Sequence, residues 1–265
     1  MRNLYAVGPP WSTHAKVDAM DNDSGTGLPA SIEAAWGLRE RPTKGPKPGL
    51  SLERIVNAGV AIASAEGLAA VSMNRIAREL GAAPMSLYRY VSAKDELLAL
   101  MEDAAHGPPP ELGPDKGWRA GLADWARAIH DAWRRNPWAL SIPVTTPPIT
   151  PNQVAWMERG LHCLRGTGLT EGEKISTIIL LSGYVRGEST VMSAVTGAFL
   201  ASGSPTPDEW MASYARDLAK LTDPQRFPAL HAVLATGVMD RADGPDDEFS
   251  FGLERILDGI AALVG

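Results

Sequence analysis

The sequence predicts an all-α protein with a small amino-terminal helical domain followed by a larger helical domain. Apolar residues recur every three to four positions along most of the chain after residue 51, as on one side of a helix. No segment alternates apolar and polar residues with the period of two that strands show. Residues 107–110, Gly-Pro-Pro-Pro, interrupt the pattern, and tryptophan becomes frequent beyond them.

The composition is that of an ordinary globular protein. Its 265 residues, 45% of them hydrophobic, can bury a core in one large or two small domains. Nothing in residues 1–30 resembles a secretory signal, and the longest apolar run, residues 175–185, is shorter than the roughly 20 residues of a membrane span. We therefore expect a cytoplasmic protein with no membrane partner. The single cysteine, Cys163, excludes an internal disulfide and a multi-cysteine zinc site, and we expect neither a metal nor a cofactor.

The first 48 residues are predicted to form a disordered extension with a basic arm. Residues 1–30 lack any periodicity. Residues 39–49 combine proline, glycine, lysine and arginine, which is typical of an extended segment.

Three short helices are predicted next, in a domain of residues 49–106. Ser51 is the expected N-cap of the first helix, and apolar residues then recur at helical spacing. Ser72 is expected to cap the second helix. Ser92 is expected to cap the third, which runs to His106.

The residues between the second and third helices are typical of a helix-turn-helix. Gly81 supplies the tight turn, since a residue without Cβ adopts φ > 0 at little cost. Pro84 suits the first turn of the following helix, and Leu87 and Val91 hold that helix on the core. Such a helix enters the major groove of DNA and carries polar or aromatic groups. Its outward-facing residues are Ala83, Pro84, Met85, Ser86, Tyr88, Arg89 and Tyr90.

Residues 72–98 resemble the DNA-binding domain of the tetracycline-repressor family of bacterial transcriptional regulators. The matching segments are Ile76-Ala77, Leu80-Gly81, Leu87-Tyr-Arg-Tyr-Val91 and Lys94-Asp-Glu-Leu-Leu98. The resemblance implies that residues 83–90 form the recognition helix and that Tyr88 and Lys94 contact phosphates. It also implies that the first helix of the motif starts near the DNA backbone, with Ser72, Met73 and Asn74.

Pro84 and Met85 depart from the pattern of the family, which has more polar or glycine residues there. They leave fewer hydrogen-bond donors for the bases. We therefore expect direct readout mainly from Ser86, Arg89 and Tyr90, with Met85 available for a thymine methyl.

The charge distribution agrees with a protein that touches DNA with one end. The chain carries a net charge of -6, but residues 39–98 hold nine basic and six acidic residues, so the other 205 residues carry -9. Two roles for the basic arm stay open: insertion into a minor groove, or a solubilising tail. The basic residues of the arm are Arg39, Arg41, Lys44 and Lys47.

Beyond the break, residues 107–265 are predicted to form a helical domain that binds an effector and dimerises. A long helix carries Trp118, Leu122, Trp125, Ile129 and Trp133 on one side. Further helices are predicted over residues 152–165, 171–200, 207–221, 227–236 and 247–265.

Two of these helices are predicted to form a dimer interface. Residues 171–200 are apolar on more than one side, which requires burial both inside the domain and against a partner. Residues 249–263 are similar to the last helix of the regulatory domain in the branch nearest the tetracycline repressor, where it pairs across a dimer. A symmetric dimer that binds two half-sites of DNA also needs its two recognition helices about 34 Å apart. We expect a homodimer through residues 171–200 and 247–265; the alternative is a monomer whose last helix packs internally.

Five of the eight tryptophans lie between residues 118 and 156. They fit either a core or an aromatic cavity for a small, largely apolar effector, and both can hold for different tryptophans. Charges within a long apolar helix also require partners or a cavity. The candidate effector residues are Trp125, His130, Trp133, Trp138, Trp156, Tyr184, Arg186 and Glu188.

These features predict a ligand-responsive transcriptional regulator. We expect a dimer that binds double-stranded DNA at a palindromic operator and is released by a small-molecule effector; the role of repressor is implied by the resemblance. The alternative is a dimeric ligand-binding protein without operator recognition. No catalytic motif is found, so no enzyme activity or catalytic residue is expected.

Overall fold

The computed structural model describes residues 26–38, 49–111, 116–244 and 246–264. The described residues form α-helices joined by short turns and contain no strand, so the all-α prediction is confirmed. The α-helices are α1 (Ala30–Ala35), α2 (Leu52–Glu66), α3 (Met73–Glu79), α4 (Pro84–Leu87), α5 (Lys94–His106), α6 (Gly117–Arg135), α7 (Pro151–Cys163), α8 (Glu171–Ser202), α9 (Pro207–Leu221), α10 (Pro228–Ala235) and α11 (Asp247–Val264).

Side-chain caps explain where several helices begin. The hydroxyl of Ser51 accepts a hydrogen bond from the backbone N–H of the third residue of α2, and Ser72 does the same for α3. Thr170 and Glu173 form a reciprocal capping box at the start of α8. The prediction for Ser92 is wrong. Ala93 is the N-cap of α5, and the Ser92 N–H donates to the Glu96 carboxylate at 3.1 Å.

Helices α2 to α5 pack around a small apolar core. Ile55 of α2, Ile76 of α3, Leu87 of α4 and Met101 of α5 are fully buried. Gly59 lets α5 approach α2 closely, because a Cβ there would lie 2.7 Å from the sulfur of Met101. The short helices thus take fixed orientations from this core.

Helices α6, α7, α8 and α11 form the larger bundle. Leu122 and Trp125 of α6 pack with Leu181 of α8 and Leu253 of α11, all of them 0–1% exposed. Gly160 permits close packing of α7, since an added Cβ would lie 3.0 Å from the Trp125 ring.

The two helical groups are joined through α5 and the turn after α6. The Asn136 side chain donates to the Ala105 carbonyl at 2.9 Å. The Trp138 indole N–H donates to the hydroxyl of Ser64, on α2, at 3.1 Å. The carboxyl-terminal half of α5 therefore belongs to both groups.

Part of the predicted disordered extension is ordered. Helix α1 packs on the body of the protein, with Ile32 only 4% exposed. The Ser31 hydroxyl donates to the Glu96 carboxylate at 2.8 Å, and the Trp36 indole donates to the Ile149 carbonyl at 2.8 Å. Sequence periodicity missed α1 because six residues are too few to show it. The predictions for residues 1–25 and for the basic arm (Arg39, Arg41, Lys44 and Lys47) lie outside the described residues.

No helix in the described ranges is long and apolar enough to cross a membrane. The long helix α8 carries small and polar residues along its length. Arg186 and Glu188 lie near its middle.

Candidate functional site

A helix-turn-helix is formed by α3, α4 and the turn between them. Gly81 has φ +63°, a left-handed conformation that favours glycine. The Ala82 N–H donates to the Ala77 carbonyl at 2.9 Å, which fixes the end of α3. Pro84 occupies the first position of α4, where a missing N–H costs nothing.

Most of the predicted DNA-reading residues lie on the exposed side of this motif. Tyr88 is 45% exposed and Met85 is 75% exposed. The other exposed members whose side chains have no hydrogen-bond partner among the described residues are Asn74, Ala83, Pro84, Arg89 and Lys94. These residues are free to reach DNA without any change in the core.

The remaining members of the set have structural contacts. Met73 is only 7% exposed and belongs to the core, because it follows the N-cap on the inner side of α3. The Tyr90 hydroxyl donates to the Leu50 carbonyl at 3.0 Å, and its ring is half-buried. The Ser86 hydroxyl donates to the Ala83 carbonyl, and the Ser72 hydroxyl caps α3. Arg89 therefore remains as the exposed charged side chain among the three residues expected to read bases.

A cavity of about 550 Å³ lies between α5, α6, α7 and α8. This volume is in the range of sites for small organic molecules, roughly 300–1,000 Å³. The irregular segment of residues 142–150 forms one wall, and Pro29 and Ile32 of the amino-terminal segment also line it. Four predicted effector residues line this cavity: Trp125, Trp133, Trp156 and Arg186.

An ion pair between the buried Glu102 and the half-buried Arg186 forms the polar end of the cavity. Nη1 of Arg186 donates to Oε1 of Glu102 at 2.9 Å, and Nη2 donates to the Ile142 carbonyl at 2.6 Å. The guanidinium also lies over the Trp133 ring, 4.9 Å from its centroid. Burial raises the pKa of the Glu102 carboxyl, and the hydrogen bond and charge of Arg186 oppose that rise.

His106 lines the same end of the cavity. Its Nδ1 lies 3.0 Å from the Glu102 carbonyl oxygen. A carbonyl only accepts, so Nδ1 carries the proton and Nε2 is an acceptor in the neutral ring. Burial lowers the pKa of His106, which favours this neutral form.

Asp103 connects the same part of α5 to the start of α7. It is 6% exposed. Its carboxylate accepts from the Thr150 hydroxyl at 2.6 Å, the Gln153 N–H at 2.9 Å and the Asn152 amide at 3.1 Å. A carboxylate at a helix N-terminus is favourable because it satisfies free N–H groups. Movement of α5 is thereby linked to α7 and to the cavity wall.

The structure does not bring the other four predicted effector residues to this cavity. Trp138 donates to Ser64 between the two helical groups. The His130 ring stacks on Phe249 of α11 with centroids 4.2 Å apart, and the Tyr184 hydroxyl donates to the Phe249 carbonyl at 2.8 Å. Glu188 lies beside His130, with 3.2 Å between its Oε2 and Nδ1.

Helix geometry explains this separation. Successive residues of an α-helix are rotated by about 100° around its axis. Ile178, Ser182 and Arg186, at intervals of four, therefore lie on the same side of α8, which faces the cavity. Glu188, two positions after Arg186, therefore lies on the opposite side. Burial lowers the pKa of His130 and raises that of Glu188, so the neutral forms of both are favoured.

Sequence reasoning missed the contribution of α5 and of the segment of residues 142–150. The signal for α5 was present, since Leu98, Glu102 and His106 follow each other at intervals of four on its inner side. Titratable groups at core spacing indicate a cavity or a buried pair. No local pattern indicated that the proline-rich segment forms a wall.

This combination, an exposed helix-turn-helix and an aromatic cavity that share helix α5, defines a DNA-binding transcriptional regulator with a ligand-binding domain. Residues 55–101 match the family model described as bacterial regulatory proteins, tetR family. Residues 109–264 match the tetracyclin repressor-like, C-terminal domain. The chain belongs to the tetracycline-repressor family, which is a family of transcriptional regulators and not of enzymes.

Individual relatives agree over most of the chain. The HTH-type transcriptional repressor DrrR1 of Streptomyces coeruleorubidus is 41% identical over 246 residues, covering 91% of this chain and 88% of its own. The crystal structure of ActR of Streptomyces coelicolor in complex with actinorhodin is 30% identical, with a TM-score of 0.69, and covers 83% of this chain and 99% of its own. ActR in complex with (S)-DNPA is 29% identical, with a TM-score of 0.65, covering 81% and 98%.

Proposed function

We propose that the protein is a repressor that binds a palindromic operator as a homodimer in the cytoplasm and leaves it when a small molecule fills the cavity. Residues 49–106 would form the DNA-binding domain, and residues 107–265 the effector-binding and dimerisation domain. The observation that carries this proposal is the position of α5. Its first residue, Lys94, follows the DNA-reading motif, and its residues Glu102 and His106 line the cavity.

The coupling follows from that position. An effector in contact with Glu102 and His106 favours one position of α5 over another. Since α5 packs on α2 in the same core as α4, a tilt of α5 changes the distance between the two recognition helices of a dimer. The effector binds one position of α5 more tightly than the other, and this difference in affinity lowers the affinity of the dimer for DNA.

The exposed sides of α8 and α11 support the dimer. Leu180 and Val191 of α8 are 54% and 60% exposed, and Phe251 and Leu263 of α11 are 64% and 61% exposed. Such apolar area on two adjacent long helices is typical of a subunit interface. The unoccupied space around Gly183 and Gly187 would let a second α8 approach closely.

A matched pair of substitutions tests the dimer. Val191→Glu places a charge on this apolar side, whereas Val238→Glu places it at an equally exposed valine, 61%, outside α8 and α11. We expect sedimentation to give a monomer for the first variant and a dimer for the second. A stable monomer for the unchanged protein at micromolar concentration would contradict the proposal.

Operator binding is tested by selecting DNA sites from a random pool with the full-length protein. We expect a palindromic site, and we expect Arg89→Ala to weaken binding by about 1–3 kcal/mol if the guanidinium contacts a base. Tyr90→Phe is the control variant, because it removes only the hydrogen bond from the Tyr90 hydroxyl to the Leu50 carbonyl, a contact within the protein. Failure to select any site would favour a ligand-binding protein without operator recognition.

A further inference from the structure

The charged groups that line the cavity are unequal in number. Three carboxylates lie among the described lining residues, those of Asp95, Glu96 and Glu102, against the single guanidinium of Arg186. All three carboxylates are on α5. Asp95 and Glu96 lie about two turns, or roughly 10 Å, before Glu102 along the helix.

The guanidinium of Arg186, the one cation among the described lining residues, already donates to acceptors of the protein. Arg186 donates to the Glu102 carboxylate and to the carbonyls of Leu140 and Ile142, at 2.9, 3.4 and 2.6 Å. A further anion would have to compete with these acceptors. The guanidinium is therefore poorly placed to bind a ligand carboxylate or sulfonate.

The acceptor groups that line the cavity can accept further hydrogen bonds. Glu102 is 8% exposed, and its Oε2 has no hydrogen-bond partner among the described residues, although Oε1 is paired with Arg186. In the neutral ring, Nε2 of His106 is a second acceptor at the same end of the cavity. Oε1 of Glu96 is also without a partner in the described part of the chain, while Oε2 accepts from Ser31 and Ser92.

Two tryptophans of the cavity wall, Trp125 and Trp156, offer no N–H donor to an anionic ligand, because both indole N–H groups already donate to backbone carbonyls. The indole N–H of Trp125 donates to the Trp156 carbonyl at 2.8 Å, and that of Trp156 donates to the Gly107 carbonyl at 2.9 Å. Their rings are apolar surfaces, and an aromatic face attracts a cation more than an anion. The remaining polar side chains on the walls are neutral, such as Gln153 and Ser182.

We propose that the cavity selects aromatic ligands that carry a protonated amine over anionic ligands of the same shape, with the amine donating to Glu102 Oε2 at the α5 end. This inference rests on the proposed function, in which the cavity is the effector site. An anion would lose its hydration and face an excess of negative charge, whereas an ammonium group gains a buried carboxylate partner. The ligand charge then acts directly on α5.

Three probes of similar shape test the charge preference: 9-(aminomethyl)acridine as the cation with an ammonium group, acridine-9-carboxylate as the anion and acridine as the neutral ring. Binding is measured by calorimetry on the full-length protein without DNA, because a planar cation also intercalates into DNA. We expect the cation to bind at least about tenfold more tightly than the anion.

Substitutions locate the preference. Glu102→Gln keeps an acceptor for Arg186 and should reduce the ratio of cation to anion affinity about tenfold. Asp95→Asn, at an exposed position in the first turn of α5, should reduce it about twofold. Glu158→Gln is the control, since this exposed residue of α7 does not line the cavity.

Equal or tighter binding of the anion by the unchanged protein would overturn the inference, as would a ratio that neither Glu102→Gln nor Asp95→Asn changes. Absence of binding by all three probes would also overturn it.

Operator binding without any probe tests the proposed function separately. A protein that prefers the cation but binds no operator keeps the inference and loses the proposed function. Binding of an operator together with a preference for the anion gives the reverse result.

Discussion

Asp103 gives the sharpest test of how α5 is joined to the rest of the protein. Asp103→Ala removes a buried acceptor from the Thr150 hydroxyl, the Gln153 N–H and the Asn152 amide. A hydrogen bond to a charged group contributes about 1.5–3 kcal/mol, and the favourable charge at the start of α7 about 0.3–1 kcal/mol. Removal also relieves the cost of burying a carboxylate. We expect the free energy of unfolding to fall by about 3 kcal/mol.

Urea unfolding followed by tryptophan fluorescence, at one fixed protein concentration, measures this change. Asp103→Asn keeps one acceptor oxygen and should lose about half as much. Asp131→Ala is the control, because this exposed residue of α6 makes no hydrogen bond within the described ranges. A loss below about 1 kcal/mol for Asp103→Ala, or an equal loss for the control, would refute the reasoning.

Three further predictions concern packing, pH and α1. Gly160→Ala would place a Cβ 3.0 Å from the ring of Trp125, so we expect overpacking to lower the free energy of unfolding by about 2 kcal/mol; an unchanged melting temperature would contradict this. Burial lowers the pKa of His106 below its usual 6.5, so the unfolded chain binds a proton that the folded protein does not, and stability falls as the pH falls through 6.5. His106→Asn keeps a donor for the Glu102 carbonyl and should lose less stability than the unchanged protein, by about 1 kcal/mol, between about pH 7.5 and 5.5; identical pH profiles of melting temperature would speak against a neutral buried ring. Ile32→Ser removes the buried apolar contact of α1 and should speed amide exchange over residues 26–38 while α6 and α8 stay protected. Exchange that rises across the whole protein instead would mean that α1 supports the entire fold.

Most of the helical framework could be predicted from the sequence. The caps at Ser51 and Ser72, the turn at Gly81 and the proline that opens α4 each act through their own backbone, so local chemistry determines them. The apolar periodicity of α6 and α11 likewise predicts which side is buried. These are features that a few neighbouring residues decide.

The candidate site was only partly predictable, because it depends on contacts between residues that are distant in sequence. Trp133 and His130 lie within one turn of α6, yet one lines the cavity and the other packs on Phe249 of α11. Which side of a buried helix lines a cavity depends on helices that are distant in sequence. Tyr90 illustrates the same limit, because its hydroxyl bonds to Leu50, 40 residues earlier.

The wall of residues 142–150 has a consequence for how ligand choice can change. The segment has no regular hydrogen-bond ladder, but Pro143, Pro147 and Pro148 each fix a backbone φ. A wall of this kind is already shaped before a ligand enters, so binding loses little chain entropy. The side chains of Val144 and Thr145 line the cavity from exposed positions outside the helices. With the cavity as the effector site, as proposed above, substitutions there would alter the size of an accepted ligand without destabilising the DNA-reading helices.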